Sequence, residues 1–186
     1  MCKFYCGVSR ATLWVTWLVC TVVAAVYAAL SLRTFVKVNE AYSDAPDANN
    51  QTVAVLVATF AGASLVVAFS VVCFLLLLGK QVSSSAVGYM YGFINASSLN
   101  LALLCLLCGL VLTAFEDDIN TGFSNRSPEE GEDLYDWSST DTDVFKATYW
   151  FAFITAAGYF GLFLVMFLAS FTIDRQNSLM EEERGG

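Results

Sequence analysis

The chain has 186 residues, of which 57% are hydrophobic, 14% charged and none histidine; nine Lys+Arg against 17 Asp+Glu leave a net charge of −8. A soluble domain of this length needs a larger charged surface, and so acidic a chain presents no basic face to phosphates, which excludes nucleic acid as a partner. Without histidine the imidazole-assisted serine, cysteine and metal chemistries are closed to it, so the expectation is a protein that is not an enzyme, with no catalytic site, metal site or cofactor.

The apolar residues gather into four runs free of Asp, Glu, Lys and Arg, at residues 11–32, 52–78, 82–115 and 147–173. Each exceeds the ~20 residues that a helix needs to cross a hydrocarbon core about 30 Å thick. None shows the alternation of a membrane barrel strand, and helices are the remaining way to satisfy backbone groups in lipid. The predicted fold class is therefore all-α, an integral membrane four-helix bundle occupying residues 11–173.

Residues 1–10, "MCKFYCGVSR", form a short N-terminal segment in which Cys2 and Cys6 flank Lys3, Phe4 and Tyr5 just before the first run. Juxtamembrane cysteines are the usual sites of S-palmitoylation, whereas myristoylation needs a glycine at position 2. The first run is about twice the length of a signal-peptide core and no A-x-A site closes it, so it reads as a retained helix. Trp14 and Trp17 near its start are candidates for an interfacial aromatic belt. A polar loop follows and ends in the sequon Asn50-Gln51-Thr52. The second run carries the small residues Ala58 and Gly62 and is followed by a very short connection, "GKQVSSS".

The third run contains "GYMYGFINASSLNLALLC", where plain leucine would insert more favourably. Ser84, Gly88, Gly92, Ala96 and Asn100 recur at i+4, nearly one helical face. Gly88-x-x-x-Gly92 is the small-xxx-small pattern by which helix backbones approach closely in lipid, and Asn100 lies where its amide can hydrogen-bond across the same seam. Asn95, one position off the row, needs a partner for its own amide. Cys105-x-x-Cys108 lies in a leucine-rich stretch with no second cysteine pair and is assigned to packing. Residues 116–146 then form an acidic loop holding the sequon Asn125-Arg126-Ser127. Its "EEGEDLYD" lacks the fixed ligand spacing of a calcium loop. The fourth run has Tyr149 and Trp150 near its start as further belt candidates, a second small pair at Ala157 and Gly161 with Gly158 beside it, and then a polar C-tail, 174–186. These rows are expected to pack the chain's own helices; the alternative is that one faces another subunit or a client membrane protein.

Four runs alternate, so the loops after runs one and three share one side and the short connection lies with both termini. Lys3, Arg10, Lys80, Arg175 and Arg184 stand on the terminal side against Arg33, Lys37, Arg126 and Lys146 on the other, a thin margin. Asn50 and Asn125, as glycosylation acceptors, place the loop side outside, giving an N-in/C-in topology. Of six cysteines none falls in those loops, so loop disulfides of the tetraspanin or claudin kind are excluded. The absence of ionisable residues from the runs argues against proton-coupled transport, pumping or voltage sensing.

Four spans, a short cytoplasmic connection, cytoplasmic termini and a fourth run "YWFAFITAAGYFGLFLVMFLASF" entering a polar tail together resemble the MARVEL-type tetraspans, the group that includes synaptogyrin- and occludin-like trafficking and junction proteins. The resemblance implies a plasma-membrane or secretory and endosomal vesicle protein. Its expected role is that of a non-enzymatic membrane organiser or trafficking adaptor whose partners are membrane lipids and other membrane proteins or further copies of itself. Two other expectations are an accessory subunit of a channel or transporter, docked through the acidic loop, and an oligomeric pore lined by Ser84, Asn95, Ser97, Ser98 and Asn100.

Overall fold

A computed structural model describes residues 10–43, 50–78, 84–116 and 139–185, with side-chain surroundings for 13–39, 53–75, 92–116 and 140–168. Four helices account for nearly all of this: α1 Arg10–Ser43, α2 Asn50–Leu78, α3 Ser84–Ala114 and α4 Ser139–Gly185. Long stretches of Ala, Leu, Val and Phe carry no proline; the chain's two prolines, Pro46 and Pro128, both fall outside the described helices. Each helix holds a segment long and apolar enough to cross a membrane: Leu13–Asn39, Val53–Leu75, Gly92–Ala114 and Thr140–Leu168.

The helices outrun the boundaries expected from hydropathy. α1 continues past residue 32 through Arg33 and Lys37 to Ser43, and α4 begins at Ser139, inside the stretch assigned to the acidic loop, and carries on through the tail to Gly185. Backbone hydrogen bonding does not stop where the apolar sequence does, and long basic side chains at a span end can reach outward along their own stems. The 47 residues of α4 measure about 70 Å at 1.5 Å per residue, more than twice the ~30 Å of a hydrocarbon core.

Successive helices are antiparallel. Trp14 meets Phe74 at a ring-centroid distance of 5.9 Å near one end of the α1–α2 pair, and Phe35 stacks on Phe60 at 6.1 Å nearer the other. Around the ring α1 packs on α2 and α4, and α3 on α4 and α2; the α3–α4 interface is the closest and α2–α3 the loosest. At the end where α3 gives way to α4, Lys146 lies 3.6 Å from Glu116.

The interior divides into two clusters. The larger gathers Trp17, Cys20, Tyr27, Ala63, Val66, Cys73, Ile94, Cys105, Ala156 and Tyr159; the smaller, toward the end of α1 and the start of α2, joins Val38, Leu56, Leu112, Phe145 and Tyr149. The exterior is at least as apolar: Leu65 is 65% exposed, Leu168 64% and Trp150 59%. Water does not tolerate so continuous an apolar outside on a monomer, whereas lipid does.

Two of the expected belt residues are corrected by this packing. Trp17 is fully buried, not interfacial, and Tyr149 is buried in the smaller cluster, while Trp14 and Trp150 do face outward. A ring that carries a hydrogen-bonding group is as well suited to a polar site between helices as to the headgroup region.

Candidate interaction face

Inside the bundle, several polar side chains are matched to one another, while the Tyr27 hydroxyl and Ser31 Oγ are enclosed without a partner. Tyr159 donates its hydroxyl to Ser70 Oγ at 2.5 Å, Ser70 Oγ lies 2.6 Å from Thr21 Oγ1, and Thr21 Oγ1 donates to the Trp17 carbonyl at 2.9 Å. Because Thr21 has spent its proton on that carbonyl, the remaining assignment is Ser70 donating to Thr21, so each hydroxyl donates once. Trp17 Nε1 closes the network on the Ser70 carbonyl at 2.9 Å, with its ring edge-on to Tyr159 at 5.5 Å. Three helices are thus tied together by one serine. Farther along, Thr34 lies 3.0 Å from Thr148 Oγ1, which itself donates to the Val144 carbonyl at 2.8 Å. Composition alone did not single these residues out. The signal available was that hydroxyl-bearing residues scattered through an apolar run find their partners only by facing other helices or their own backbone.

The small residues that do bring helices together are Gly62, Gly109 and Gly158. A Cβ on Gly109 would lie 2.8 Å from the Phe153 ring, one on Gly62 3.0 Å from Cys108 Sγ, and one on Gly158 3.2 Å from Cys20 Sγ. These glycines serve the α3–α4, α2–α3 and α1–α4 contacts in turn. Cys105 and Cys108 are buried in the larger cluster beside the Tyr27 hydroxyl.

Of the small residues expected to pack the bundle, Gly62 and Gly158 do so; the others that are described lie elsewhere, which corrects that part of the expectation. Gly92, Ala96 and Asn100 are all exposed, as are Ala157 and Gly161, and a Cβ built on Gly92 or Gly161 meets nothing within 4 Å. Ala58 on α2 is likewise exposed. The physical reason is a rotation of the helix: on α3 the buried side is carried by Ile94, Ser98, Leu101, Ala102, Cys105 and Gly109, which leaves Gly92, Ala96, Asn100, Leu103 and Leu107 outside. Gly88 lies within α3 and Asn50 is the first residue of α2, but their side-chain surroundings fall outside the described residues, as do Cys2, Cys6 and Asn125 altogether.

Of the side chains expected to line a pore, Ser97 and Asn100 both border one groove between α2 and α3, while Ser98 is buried. Ser97 and Ser98 bond back to the carbonyls of Phe93 at 2.6 Å and Asn95 at 2.7 Å, and the side-chain surroundings of Ser84 fall outside the described residues. Asn95 is half-buried, with its Oδ1 enclosed and without a donor.

Where α2 and α3 part, the exterior is concave. Leu65, Phe69, Phe93, Ala96, Ser97, Asn100, Leu101 and Leu104 line a groove of about 420 Å³, with Phe69 and Phe93 5.9 Å apart at one wall. Gly92 adjoins it, so small and polar residues edge a groove on a surface otherwise made of Leu, Val and Phe. Such an arrangement supplies close backbone approach, apolar area, one amide and one hydroxyl.

Comparison of the chain with protein-family models, curated proteins and solved structures finds no match.

Proposed function

We propose that this chain is a non-enzymatic multi-pass membrane protein that organises or escorts other membrane components through the outer face of its third helix. Both termini lie in the cytoplasm in this reading, as in the MARVEL-type tetraspans it resembles, and the membrane is the plasma membrane or that of secretory and endosomal vesicles. One observation carries the reading: Gly92, Ala96 and Asn100, the residues best suited to helix contact in lipid, are exposed on an otherwise Leu- and Val-rich exterior beside the α2–α3 groove. The bundle has its own polar ties and close-packing glycines and does not use this row.

The test is Gly92→Leu in the full chain, compared with Val22→Leu on the exposed side of α1. Since a Cβ built at position 92 meets nothing within 4 Å, detergent stability should match wild type while recovery of co-purifying membrane components falls. Unchanged recovery, or a loss of stability that accounts for it, would defeat the proposal. The topology is tested separately: terminal epitope tags should be reachable only after permeabilisation, and Asn125→Gln should increase gel mobility by removing a glycan.

A further inference from the structure

Asn100 differs from the hydroxyls that bond back to their own helix. Ser64, Ser97 and Thr113 satisfy themselves by donating to the carbonyl four residues back, at 2.9, 2.6 and 2.8 Å. Ser64 can therefore face outward at little cost. The Asn100 amide has two N–H groups and a carbonyl, it is exposed, and it makes no hydrogen bond among the described residues. It stands within the apolar segment of α3, Gly92–Ala114. Lipid tails offer such a group nothing, and leaving it unpaired there costs several kcal/mol on the general scale.

We infer that Asn100 pairs with Asn100 of a second copy of this chain, the two α3 helices meeting along Gly92, Ala96 and Asn100 in a two-fold dimer. This rests on the reading of that face as an interaction surface and names its occupant. Two copies inserted with the same orientation hold every residue at the same depth, so a two-fold axis along the membrane normal brings residue 100 opposite residue 100. A carboxamide is self-complementary, since each partner donates one N–H and accepts on its carbonyl. An unrelated client would need a polar group of its own at that depth, whereas the second copy brings one with it. Ala96 and Gly92, one and two turns away on the same row, leave the space for the backbones to close, and the α2–α3 groove lies beside the axis to receive the partner's exposed side chains.

The experiment uses the full chain in lipid vesicles with Cys2→Ser and Cys6→Ser, so that the cysteines remaining in the described helices are the buried ones. In that background Ala96→Cys, which leaves Asn100 in place, should give a disulfide-linked dimer on mild oxidation, while Val22→Cys on α1 should stay monomeric. In parallel, Asn100→Leu should raise the dimer dissociation constant, read by energy transfer between labelled copies, by about 3-fold to about 20-fold per hydrogen bond lost. Asn100→Gln, which keeps the amide, should recover part of the loss. Detergent stability equal to wild type shows that each variant folds. No more cross-linking at 96 than at 22, or a dissociation constant indifferent to Asn100→Leu, overturns the dimer. If copies stay monomeric yet Gly92→Leu still lowers recovery of other membrane components, the interaction face stands and its occupant is not a second copy.

Discussion

Ser70→Ala is the sharpest probe of what holds the bundle together. The change removes the hydroxyl that accepts from Tyr159 at 2.5 Å and lies 2.6 Å from Thr21, but leaves the Ser70 carbonyl to Trp17 Nε1. Interhelical hydrogen bonds in lipid average about 0.6 kcal/mol with ~1.7 as an upper value, so two of them predict a loss of about 1 to 3 kcal/mol. The Tyr159 hydroxyl, its ring fully buried, then loses its acceptor and has only the Thr21 hydroxyl beside it, which already donates to the Trp17 carbonyl. Tyr159→Phe alone loses one bond and leaves Ser70 still paired with Thr21, about 0.6 kcal/mol. The two changes should therefore be strongly non-additive: adding Tyr159→Phe to Ser70→Ala removes the orphaned hydroxyl and leaves the double variant at least as stable as Ser70→Ala. Reversible unfolding in mild detergent, followed by tryptophan fluorescence, measures all three. If Ser70→Ala lies within 0.3 kcal/mol of wild type, on the order of assay error, or if Tyr159→Phe costs the same in both backgrounds, the network reasoning is wrong.

Glycines that look alike in the sequence should respond differently. Gly109→Ala must displace the Phe153 ring and should destabilise by about 1–3 kcal/mol, whereas Gly161→Ala meets nothing within 4 Å and should be neutral or stabilising by up to about 1 kcal/mol from helix propensity; the same unfolding assay separates them. Asn95→Leu removes a buried carbonyl oxygen that has no donor and should leave the monomer as stable or raise its stability by about 1 kcal/mol. A clear destabilisation of that variant would show that Oδ1 is paired.

The number and order of helices are legible because lipid imposes a length requirement that the four apolar runs meet openly. Their ends are less so: Arg33 and Lys37 mark where the sequence stops being apolar, yet α1 goes on to Ser43 because its backbone bonds gain nothing by stopping there. The facing of each helix is the least legible feature. In water a buried stripe is apolar and the other side polar, so periodicity gives the rotation; here Leu65 and Leu168 on the outside are as apolar as Ile94 and Leu112 within. Small-residue spacing then offers competing answers. On α4 it picks out both Ala152 with Ala156 and Ala157 with Gly161, and only the first pair is buried.

Hydrogen-bonding residues break that degeneracy, though only if their chemistry is distinguished. Serine and threonine are ambiguous markers because a helical hydroxyl can always return to its own backbone, as exposed Ser64 does while Ser70 instead joins three helices. A tyrosine cannot reach back in that way, so a phenol hydroxyl far from a span end points to the interior, and Tyr27 and Tyr159 are both fully buried. Asparagine is the least able to satisfy itself, with three sites to fill. By that logic Asn100 should also lie inside, and it does not. Either the face it occupies is covered by another polypeptide, or the chain holds an unpaired amide in hydrocarbon against a steady energetic cost. The same position is where leucine, tolerated equally by lipid and by the bundle, would have sufficed for a protein that worked alone.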